Sequence, residues 1–373
     1  MHKTEIPIEE YYDVVIVGAG PAGLGVGILL QKLGIDYVIL EKNSIGSSFR
    51  NWPQETRFIS PSFTGNFFKM PDLNAISPET SPAFELLTEH PTGNEYADHL
   101  ENVANYYQLV IKTGIEVSSV DDKDVSFILH TSKAVYGSGY VLWAAGEYQY
   151  PSTGTFKGEE LCIHYSQIES FADLEGDEQH VIGAYESGFD TAVSLAKLGK
   201  QVTLFDDSAY MDLVNSDSSY SLSPFTRDRI KEAIHNDIYY ISKTSVEKVE
   251  FYNGQYFIVC NDDRIFETTI KPINCTGFDT SLILVEELFD FAEGYPLLNE
   301  FDESRKTKNL FLAGPQVKHG TALFCFIYKY RQRFAIVAEK IAQNMEIPSL
   351  AIQEALKDYK YNNFYLDDLD CCD

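Results

Sequence analysis

The sequence predicts an α/β fold, because one strand–helix–strand pattern occurs in it twice. The first copy, VVIVGAGPAGLGVGILLQKLGIDYVILEK, runs from Val14 to Lys42, and the second, VIGAYESGFDTAVSLAKLGKQVTLFDD, ends at Asp207. In each copy an acidic residue follows the first glycine by 23 positions (41 − 18 and 206 − 183). Strand ends of one type also stand on either side of the second copy. Together these observations predict two Rossmann-like doubly wound dinucleotide-binding domains, the second inserted into the first.

The first unit contains every part of a dinucleotide-binding fingerprint. Val14 to Val17 is a short apolar strand, the following helix is expected to run to Leu33, and a second strand spans Tyr37 to Leu40. Glycines at the first turn let the backbone approach a pyrophosphate, and the helix N-terminus favours its negative charge. An acid after the second strand accepts hydrogen bonds from a ribose. The residues with these roles are Gly18, Gly20, Pro21, Gly23 and Glu41.

The second unit keeps this frame but alters the site. Tyr185 replaces the middle glycine, so a side chain stands where backbone should approach the phosphates. Ser187 and the helix N-terminus could still bind an anion, and Asp206 would repel a 2′-phosphate and favour NADH over NADPH. Arg227 and Arg229 could reverse that preference by folding back over the site. The alternative is a relic unit that keeps the fold without the nucleotide. The residues expected at this site are Gly183, Tyr185, Glu186, Ser187, Gly188 and Asp206.

The remaining chain is expected to complete these two domains. A long connection between the first unit and the next helix carries several aromatic residues and is expected to form a wall of the active site. The further elements expected are that connection from Gly46 to Pro91, a helix from Asn94 to Leu109, strands at Thr113–Val120, Val135–Ala145, Ile273–Gly277 and Leu310–Ala313, and a helix from Thr321 to Asn344. Residues 1–151 and 276–345 would form the first domain, 152–275 the second, and 346–373 an acidic tail.

Composition restricts the function. The formal charge of −27 argues against nucleic acid and against anionic membrane surfaces as partners. No apolar run approaches the roughly 18 residues of a membrane span, and the N-terminal MHKTEIPIEE lacks the apolar core of a signal peptide. The eight histidines are scattered and never stand at ligand spacing from cysteine, so no metal site is expected. We expect a cytoplasmic enzyme that acts on a small molecule and could form oligomers.

The order of motifs resembles a known family. GAGPAG, EK at a strand end, a tryptophan-bearing loop, AAG followed by a proline, a degenerate second fingerprint, CTGF and AGP occur in sequence. This order is similar to that of the flavin-dependent monooxygenase group, and more closely to the short CzcO-like oxidoreductases, over roughly residues 11 to 345. The resemblance implies that the first unit binds FAD and the second NADPH, and that reduced flavin captures O₂.

The resemblance also implies positions for the cofactor. The ADP half of FAD would contact the first fingerprint and the acid with its neighbour, and the tryptophan-bearing loop would run along the flavin. Val117 would lie near the adenine, Ala145 and Gly146 near the pyrophosphate, and the segment from Gly314 to Thr321 near the isoalloxazine ring. The FAD residues so implied are Gly18, Ala19, Gly20, Pro21, Ala22, Gly23, Glu41, Lys42, Ser48, Phe49, Trp52, Val117, Ala145, Gly146, Gly314, Pro315, Gln316 and Thr321.

The chain departs from that group in its linker and its length. After Phe156 and Gly158 the next histidine, His164, comes two positions later than the group's signature requires, and the large insert that covers the substrate is missing. His319 follows the last strand end and could donate a proton near the flavin, or it could simply pack there. Arg50 could offset negative charge on reduced flavin or make an ordinary contact.

The cysteines disfavour a disulfide reductase. None of the six forms a CxxC pair, the first helix carries Ala22 where a thiol could stand beside the flavin, and the second unit has no cysteine. The vicinal Cys371 and Cys372 resemble the C-terminal pair of mercuric reductases, although a mobile tail with two exposed thiols explains them as well. All the cysteines are Cys162, Cys260, Cys275, Cys325, Cys371 and Cys372.

Three hypotheses follow. The first is an FAD- and NAD(P)H-dependent monooxygenase that acts on a small organic substrate with O₂. The second is an FAD- and NAD(P)H-dependent reductase of a quinone, a disulfide or a metal-thiolate that does not oxygenate. The third is a non-catalytic flavin-binding protein whose second unit is a relic.

Overall fold

The chain forms two main sheets. The strands of the first sheet come from the parts of the sequence that precede and follow the second sheet. The computed structural model describes residues 8–65, 69–124, 126–233 and 237–369. The first sheet contains β1 (Glu10–Val17), β2 (Tyr37–Glu41), β3 (Ile111–Thr113), β4 (Val117–Asp122), β5 (Phe127–Thr131), β6 (Val135–Trp143) and β17 (Leu310–Leu312). Its order is β3-β2-β1-β6-β5-β4, with β17 also paired to β6.

The second sheet lies wholly between the first sheet's β6 and β17 in sequence. It contains β7 (Ile163–His164), β8 (Glu178–Ile182), β9 (Gln201–Phe205), β10 (Ile238–Ile241) and β14 (Ile273–Asn274), all parallel, in the order β10-β9-β8-β14-β7. A three-stranded antiparallel sheet of β11 (Val246–Tyr252), β12 (Gln255–Cys260) and β13 (Ile265–Thr268) is attached to it. This arrangement confirms the α/β fold with one dinucleotide-binding domain inserted into another.

Helices and two short hairpins complete the fold. The hairpins pair β15 (Phe291–Ala292) with β16 (Tyr295–Pro296) and β18 (Lys318–His319) with β19 (Ala322–Leu323). The α-helices are α1 (Pro21–Lys32), α2 (Ser47–Arg50), α3 (Pro82–Glu85), α4 (Gly93–Tyr107), α5 (Glu186–Lys197), α6 (Pro224–Ala233), α7 (Ile327–Asn344) and α8 (Ser349–Tyr361).

Close packing of α1 explains its glycine content. The strand β1 contributes the fully buried run Val14 to Ile16, and α1 lies between this sheet and α7. A Cβ on Gly25 would lie 2.1 Å from a ring carbon of Phe334, so only glycine lets the two helices approach this closely. The glycines of α1 therefore serve helix packing as well as the turn before it.

The helix α4 begins one residue earlier than predicted, for a local reason. The Thr92 hydroxyl accepts a hydrogen bond from the Glu95 backbone N–H at 3.2 Å, and the Glu95 carboxylate accepts one from the Thr92 backbone N–H at 2.7 Å. This reciprocal capping box satisfies two amide groups that the first turn would leave unpaired. The helix then ends at Tyr107, two residues before the predicted end.

Other predicted elements also differ from the structure, and the strands expected at Ile273–Gly277 and Leu310–Ala313 end at Asn274 and Leu312. The single strand expected from Thr113 to Val120 is two strands, β3 and β4, because Gly114 turns the chain at φ +67°. The last long helix begins at Ile327 and not at Thr321, since Gly320, at φ +52°, makes the tip of the β18–β19 hairpin. The strand expected to continue to Ala145 ends at Trp143.

The segment expected to be an acidic tail is folded as far as it is described. Residues 349–361 form α8, and Tyr359 and Phe364 are fully buried in the core of the first domain. The prediction of a mobile tail from Tyr359 is therefore wrong up to Leu369. Cys371 and Cys372 lie outside the described residues. Among the helices of the described ranges, none is long and apolar enough to cross a membrane.

Candidate functional site

The turn between β1 and α1 faces a cavity. Gly18 has φ +105°, and a Cβ there would lie 2.5 Å from the carbonyl oxygen of Ala144. A Cβ on Gly23 would lie 1.9 Å from the carbonyl oxygen of Gly18, whereas a Cβ on Gly20 would meet no atom within 4 Å. Gly18 and Gly23 therefore close the turn, and Gly20 leaves open space against its backbone. This is the shape that a pyrophosphate requires.

The N-terminus of α1 is free to bind an anion. Its N-cap is Gly20, no side chain hydrogen-bonds to the cap, and Pro21 occupies the first turn. The first amide groups of a helix have no partner within the helix, and they carry the positive end of the helix dipole. With the open space at Gly20, this end of α1 fits the phosphates of a dinucleotide.

Glu41 is held rigidly at the end of β2. Its carboxylate accepts hydrogen bonds from the backbone N–H of Ala19 and of Asn43, both at 2.8 Å, and from the Ser47 hydroxyl at 3.3 Å. A carboxylate has about four acceptor positions, so one is left for a ribose hydroxyl. Ala19 thus acts through Glu41, while Lys42 beside it pairs with Glu116 at 2.7 Å.

These groups border one cavity of about 400 Å³, which is within the usual range for ligand pockets. The tryptophan-bearing loop, the end of β6 and the start of α7 also line this cavity. The residues predicted for FAD that line it are Gly18, Gly20, Pro21, Ala22, Glu41, Lys42, Ser48, Phe49, Trp52, Val117, Ala145, Gly146 and Pro315. Those predicted for FAD that do not line it are Ala19, Gly23, Gly314, Gln316 and Thr321.

Aromatic side chains stiffen one wall of the cavity. The rings of Phe49 and Trp52 meet edge to face at 5.1 Å, and Phe58 packs on Trp52 at 5.0 Å and on Tyr96 at 4.4 Å. Residues 46–60 of the long connection contribute much of this wall. Aromatic pairs of this kind stabilise a site beyond their buried area, so the wall is preformed.

His319 belongs to an ion-pair network outside the cavity. Its Nε2 lies 2.5 Å from the carboxylate of Asp302, which is fully buried and also accepts hydrogen bonds from the guanidinium of Arg333 at 3.0 Å. His319 does not line the cavity. The structure thus supports the packed histidine that the sequence left as the alternative, and gives His319 no contact with the flavin region.

The second unit preserves the frame of the first. Gly183 has φ +95°, with its Cβ position 2.7 Å from the carbonyl oxygen of Cys275, and a Cβ on Gly188 would lie 1.9 Å from the carbonyl oxygen of Gly183. These contacts repeat those of Gly18 and Gly23. Glu186 and Ser187 reach the cavity wall, whereas Gly183, Tyr185, Gly188 and Asp206 do not.

The carboxylate of Asp206 makes all its hydrogen bonds with groups of the protein itself. The side chain is completely buried, and its carboxylate accepts from the backbone N–H groups of Ser208 at 2.8 Å, Ala209 at 2.9 Å and Tyr210 at 2.7 Å. The Tyr240 hydroxyl donates to the same carboxylate. Four donors fill the acceptor positions of the group, so Asp206 offers nothing to a ribose.

Residues 207–223, which we call the covering segment, lie over the second fingerprint. The Tyr185 hydroxyl donates to the carbonyl oxygens of Ser218 and Ser221, both at 3.2 Å. The carboxylate of Glu186 accepts from the Ser223 backbone N–H and the Thr226 hydroxyl, both at 2.5 Å. Because Tyr185 and Glu186 are bonded to this part of the chain, a dinucleotide fits the second fingerprint only when the covering segment moves away.

The two arginines that could select NADPH are also occupied. The guanidinium of Arg227 donates to backbone carbonyl oxygens, including that of Met211 at 2.8 Å, and Arg229 forms a buried ion pair with Asp190 at 2.5 Å. Neither is directed toward a 2′-phosphate. The geometry therefore offers no basis for choosing between the two nicotinamide dinucleotides.

Cys325 is a cavity residue that the sequence did not reveal. It lies on the cavity wall between the β18–β19 hairpin and α7, and it is exposed to solvent. The other described cysteines are buried, and burial raises the pKa of Cys162 and of Cys275 to about 12. The sequence pattern placed Cys325 inside a helix that begins at Thr321. The flexible Gly320 was the available sign that the helix starts later.

Glu147 is a second cavity residue that the sequence did not reveal. It lines the cavity just after Gly146, and its carboxylate accepts a hydrogen bond from the Gln316 amide at 2.6 Å. Burial raises its pKa, which favours the protonated acid. Gln316, predicted as a flavin contact, thus acts through Glu147. Across the described ranges, no group of histidine, cysteine and acidic residues could hold a metal ion.

Comparison with known proteins is consistent with this geometry. The family model described as pyridine nucleotide-disulphide oxidoreductase matches residues 15–314. The chain is 24% identical over 348 residues to the bacilliredoxin reductase Bdr of Bacillus subtilis, covering 88% of this chain and 97% of that protein. It is 29% identical over 196 residues to an uncharacterized CzcO-like oxidoreductase of Geobacillus kaustophilus, a match that spans 53% of that relative.

Solved structures show the same fold. The bacillithiol disulfide reductase Bdr from Staphylococcus aureus superposes with a TM-score of 0.72 at 20% identity, over 90% of this chain and 99% of that one. A flavin-containing monooxygenase from Stenotrophomonas maltophilia superposes with a TM-score of 0.64 at 16% identity, over 94% and 99%. At these identities the likeness concerns the architecture of two dinucleotide-binding domains.

Proposed function

The chain belongs to the pyridine nucleotide-disulphide oxidoreductase family, and we propose that it is an FAD-dependent reductase that passes electrons from a pyridine nucleotide to a disulfide. FAD and a nicotinamide dinucleotide are the cofactors consistent with this family. The observation that carries the proposal is a thiol on the wall of the cavity that the first fingerprint forms. That thiol is Cys325, the exposed cysteine among those described.

The residues of the first unit fit FAD. The free end of α1 would bind the pyrophosphate, Glu41 would accept from the ribose, and the ring cluster of Phe49 and Trp52 would exclude water from the flavin. When bound, FAD supplies a carrier that takes up two electrons and releases them. The chain itself supplies the thiol and, on the same cavity wall, the carboxyl group of Glu147, whose pKa is raised by burial.

The chemistry balances with these groups. The Cys325 thiolate attacks one sulfur of a disulfide R–S–S–R, so a Cys325–sulfur bond forms, the S–S bond breaks, and the departing thiolate takes up a proton. Two electrons from the reduced pyridine nucleotide, with a second proton, then break the mixed disulfide. The second thiol leaves and Cys325 returns to the thiolate. One disulfide, two electrons and two protons give two thiols.

A whole-length relative supports the choice of a disulfide. The relative that matches over 97% of its length is named as the reductase of a bacilliredoxin. Oxygenation, which the motif order implied, is supported by likeness of fold at 16% identity. The expectation that no thiol lies beside the flavin rested on the first helix and the second unit, and Cys325 belongs to neither. The small-molecule substrate expected from the sequence becomes, in this proposal, a disulfide.

The test is anaerobic. The purified flavoprotein is reduced with NADH or with NADPH, and cystamine is then added while the flavin absorbance is followed. We expect reoxidation of the flavin and two free thiols per cystamine in the wild type and in Cys260→Ala, a buried-cysteine control. Loss of this reaction in Cys325→Ser is expected. Flavin that stays reduced with cystamine, but reoxidises in air with substrate-dependent O₂ consumption and without stoichiometric peroxide, would establish oxygenation and overturn the proposal.

A further inference from the structure

A short chain of hydrogen bonds ends at the sulfur of Cys325. The hydroxyl oxygen of Ser219 lies 3.0 Å from the Cys325 Sγ, and the ammonium of Lys329 lies 2.6 Å from the same hydroxyl oxygen. Lys329 lies in the first turn of α7, four residues after Cys325, and Ser219 comes from the covering segment of the other domain. Three residues from two domains thus meet, and one of them, Cys325, lines the cavity.

The direction of these bonds is fixed by their chemistry. A lysine ammonium can only donate, so the Ser219 oxygen accepts from Lys329. The single hydroxyl proton of Ser219 is then available for the sulfur. A hydroxyl that donates to sulfur stabilises the thiolate over the thiol, and a nearby ammonium does the same through its charge. Ser219 and Lys329 therefore lower the pKa of Cys325 relative to the same buried thiol without them.

We propose that Ser219 and Lys329 are positioning residues that orient the Cys325 sulfur and hold it ready for attack on a disulfide. The inference rests on the proposed function and adds to it a requirement for both domains. Ser219 reaches Cys325 only while the covering segment is docked against the start of α7.

Other contacts confirm that the covering segment is docked there. The Tyr220 hydroxyl donates to the Thr321 carbonyl oxygen at 2.8 Å, and the hydroxyls of Ser218 and Tyr328 lie 2.5 Å apart. Lys329 also forms an ion pair with Asp217. These contacts fix Ser219 in place, so its approach to the sulfur does not rely on one flexible side chain.

The groups around Cys325 shift the pKa of its thiol in opposite directions. Partial burial is the largest effect and holds the pKa of the Cys325 thiol above its usual value, although the Ser219 hydrogen bond and the Lys329 charge lower it. The carboxylates of Asp217 and Glu147 act in the same direction as burial. The other titratable groups that face the sulfur are the phenols Tyr185, Tyr295, Tyr328 and Tyr330. Removing Ser219 or Lys329 therefore takes away one of the two effects that favour the thiolate, and the pKa of Cys325 should rise further.

The experiment is a pH profile of thiol reactivity, measured on the oxidised holoprotein. Iodoacetamide is added between about pH 7 and pH 11, and the rate of alkylation at Cys325 is followed by peptide mass spectrometry, which separates it from the other cysteines. In Ser219→Ala we expect the midpoint to rise by about one pH unit, so that alkylation at pH 7.5 is roughly tenfold slower. Ser219→Thr, which keeps the hydroxyl, should return the midpoint to the wild-type value.

Two further variants make the result specific. Lys329→Met should raise the midpoint and Lys329→Arg should raise it less, because arginine keeps the charge. Ser118→Ala, a serine on β4 whose hydroxyl donates to the His130 carbonyl oxygen at 3.2 Å, should leave it unchanged. Far-ultraviolet circular dichroism and retained flavin identify the folded variants that enter the comparison.

The outcomes separate this inference from the proposed function. An unchanged profile in folded Ser219→Ala and Lys329→Met would overturn the inference, even if cystamine is reduced and Cys325 is required. A shifted profile supports the inference. If the profile shifts but the wild-type protein does not reduce cystamine, the proposed function is wrong and the positioning role of Ser219 and Lys329 is still supported.

Discussion

The hydroxyl of Tyr185 donates to the carbonyl oxygen of Ser218 at 3.2 Å, so the residue that replaces the middle glycine of the second fingerprint also holds down the segment that covers it. The two residues are 33 positions apart in sequence. The substitution of glycine by tyrosine is therefore part of a packed arrangement and more than the loss of a binding residue.

We expect Tyr185→Phe to strengthen the apparent binding of the reducing nucleotide by up to roughly tenfold, because a hydrogen bond of about 0.5–1.5 kcal/mol that holds the covered state is lost. The measurement is the rate of anaerobic flavin reduction as a function of NADH and of NADPH concentration. Tyr239→Phe, an exposed tyrosine on β10, is the control. Identical half-saturation in wild type and Tyr185→Phe would show that the bond does not govern access.

Glu41→Gln should release FAD. The Glu41 carboxylate accepts from the Ala19 backbone N–H at 2.8 Å. The glutamine side chain would place an NH₂ group, which can only donate, next to N–H or O–H groups that need an acceptor. Losing hydrogen bonds to a charged group costs about 1.5–3 kcal/mol, which corresponds to FAD bound roughly 10- to 100-fold more weakly. The flavin retained per protein after dialysis measures this. Glu178→Gln, exposed at the start of β8, should retain flavin as the wild type does.

The network around Asp302 should affect stability and not the reaction. Arg333→Met would leave the fully buried Asp302 without its guanidinium partner, and breaking a buried pair in this way costs about 3–5 kcal/mol. His319→Asn should lower stability less, because Arg333 remains. Urea unfolding measures the first effect. If His319→Asn slows flavin reoxidation by cystamine in protein that is fully folded, the catalytic role predicted from the sequence would be restored.

Buried histidines should make the fold sensitive to acid. Burial lowers the pKa of His180 from its usual 6.5, and its Nδ1 has no hydrogen-bond partner. The unfolded chain therefore takes up a proton near pH 6.5 that the folded chain refuses, so stability is present above that pH and is lost as the pH falls below it. The free energy of unfolding should fall by at most about 1.4 kcal/mol per pH unit from this residue.

The variant His180→Leu tests this dependence. The side chain packs beside the rings of Phe205 and Phe266, with centroid distances of 6.3 and 6.4 Å, so leucine can pack there. Urea unfolding of wild type and variant at pH 7.5, 6.5 and 5.5 gives the slope. We expect a shallower decline in the variant, and equal slopes would mean that His180 does not contribute.

The sequence was sufficient where the determinants are local. The first fingerprint depends on contacts between residues a few positions apart, so glycine spacing and Glu41 identified the part of the cavity wall that lies at the β1–α1 turn and the end of β2. Asp206 has the same spacing as Glu41, but three backbone amides of the covering segment and Tyr240 surround it. Spacing alone does not reveal that enclosure.

Long-range contacts explain what the sequence did not predict. Ser219 and Cys325 are 106 positions apart, and no periodicity connects them. The burial of Tyr359 and Phe364 likewise depends on α1 and α7 rather than on the acidic composition of the C-terminal segment. In both cases the partner residue, and not the local pattern, determines the structure.

One short stretch of chain touches both ends of the proposed electron path. The covering segment bonds to Tyr185 at the second fingerprint and to Cys325 at the cavity wall. Anything of nucleotide size that enters the second unit must move this segment, and Ser219 moves with it. The protein would then alternate between a form that accepts electrons and a form whose thiol is primed. Steady-state kinetics should accordingly be ping-pong, with parallel lines in double-reciprocal plots.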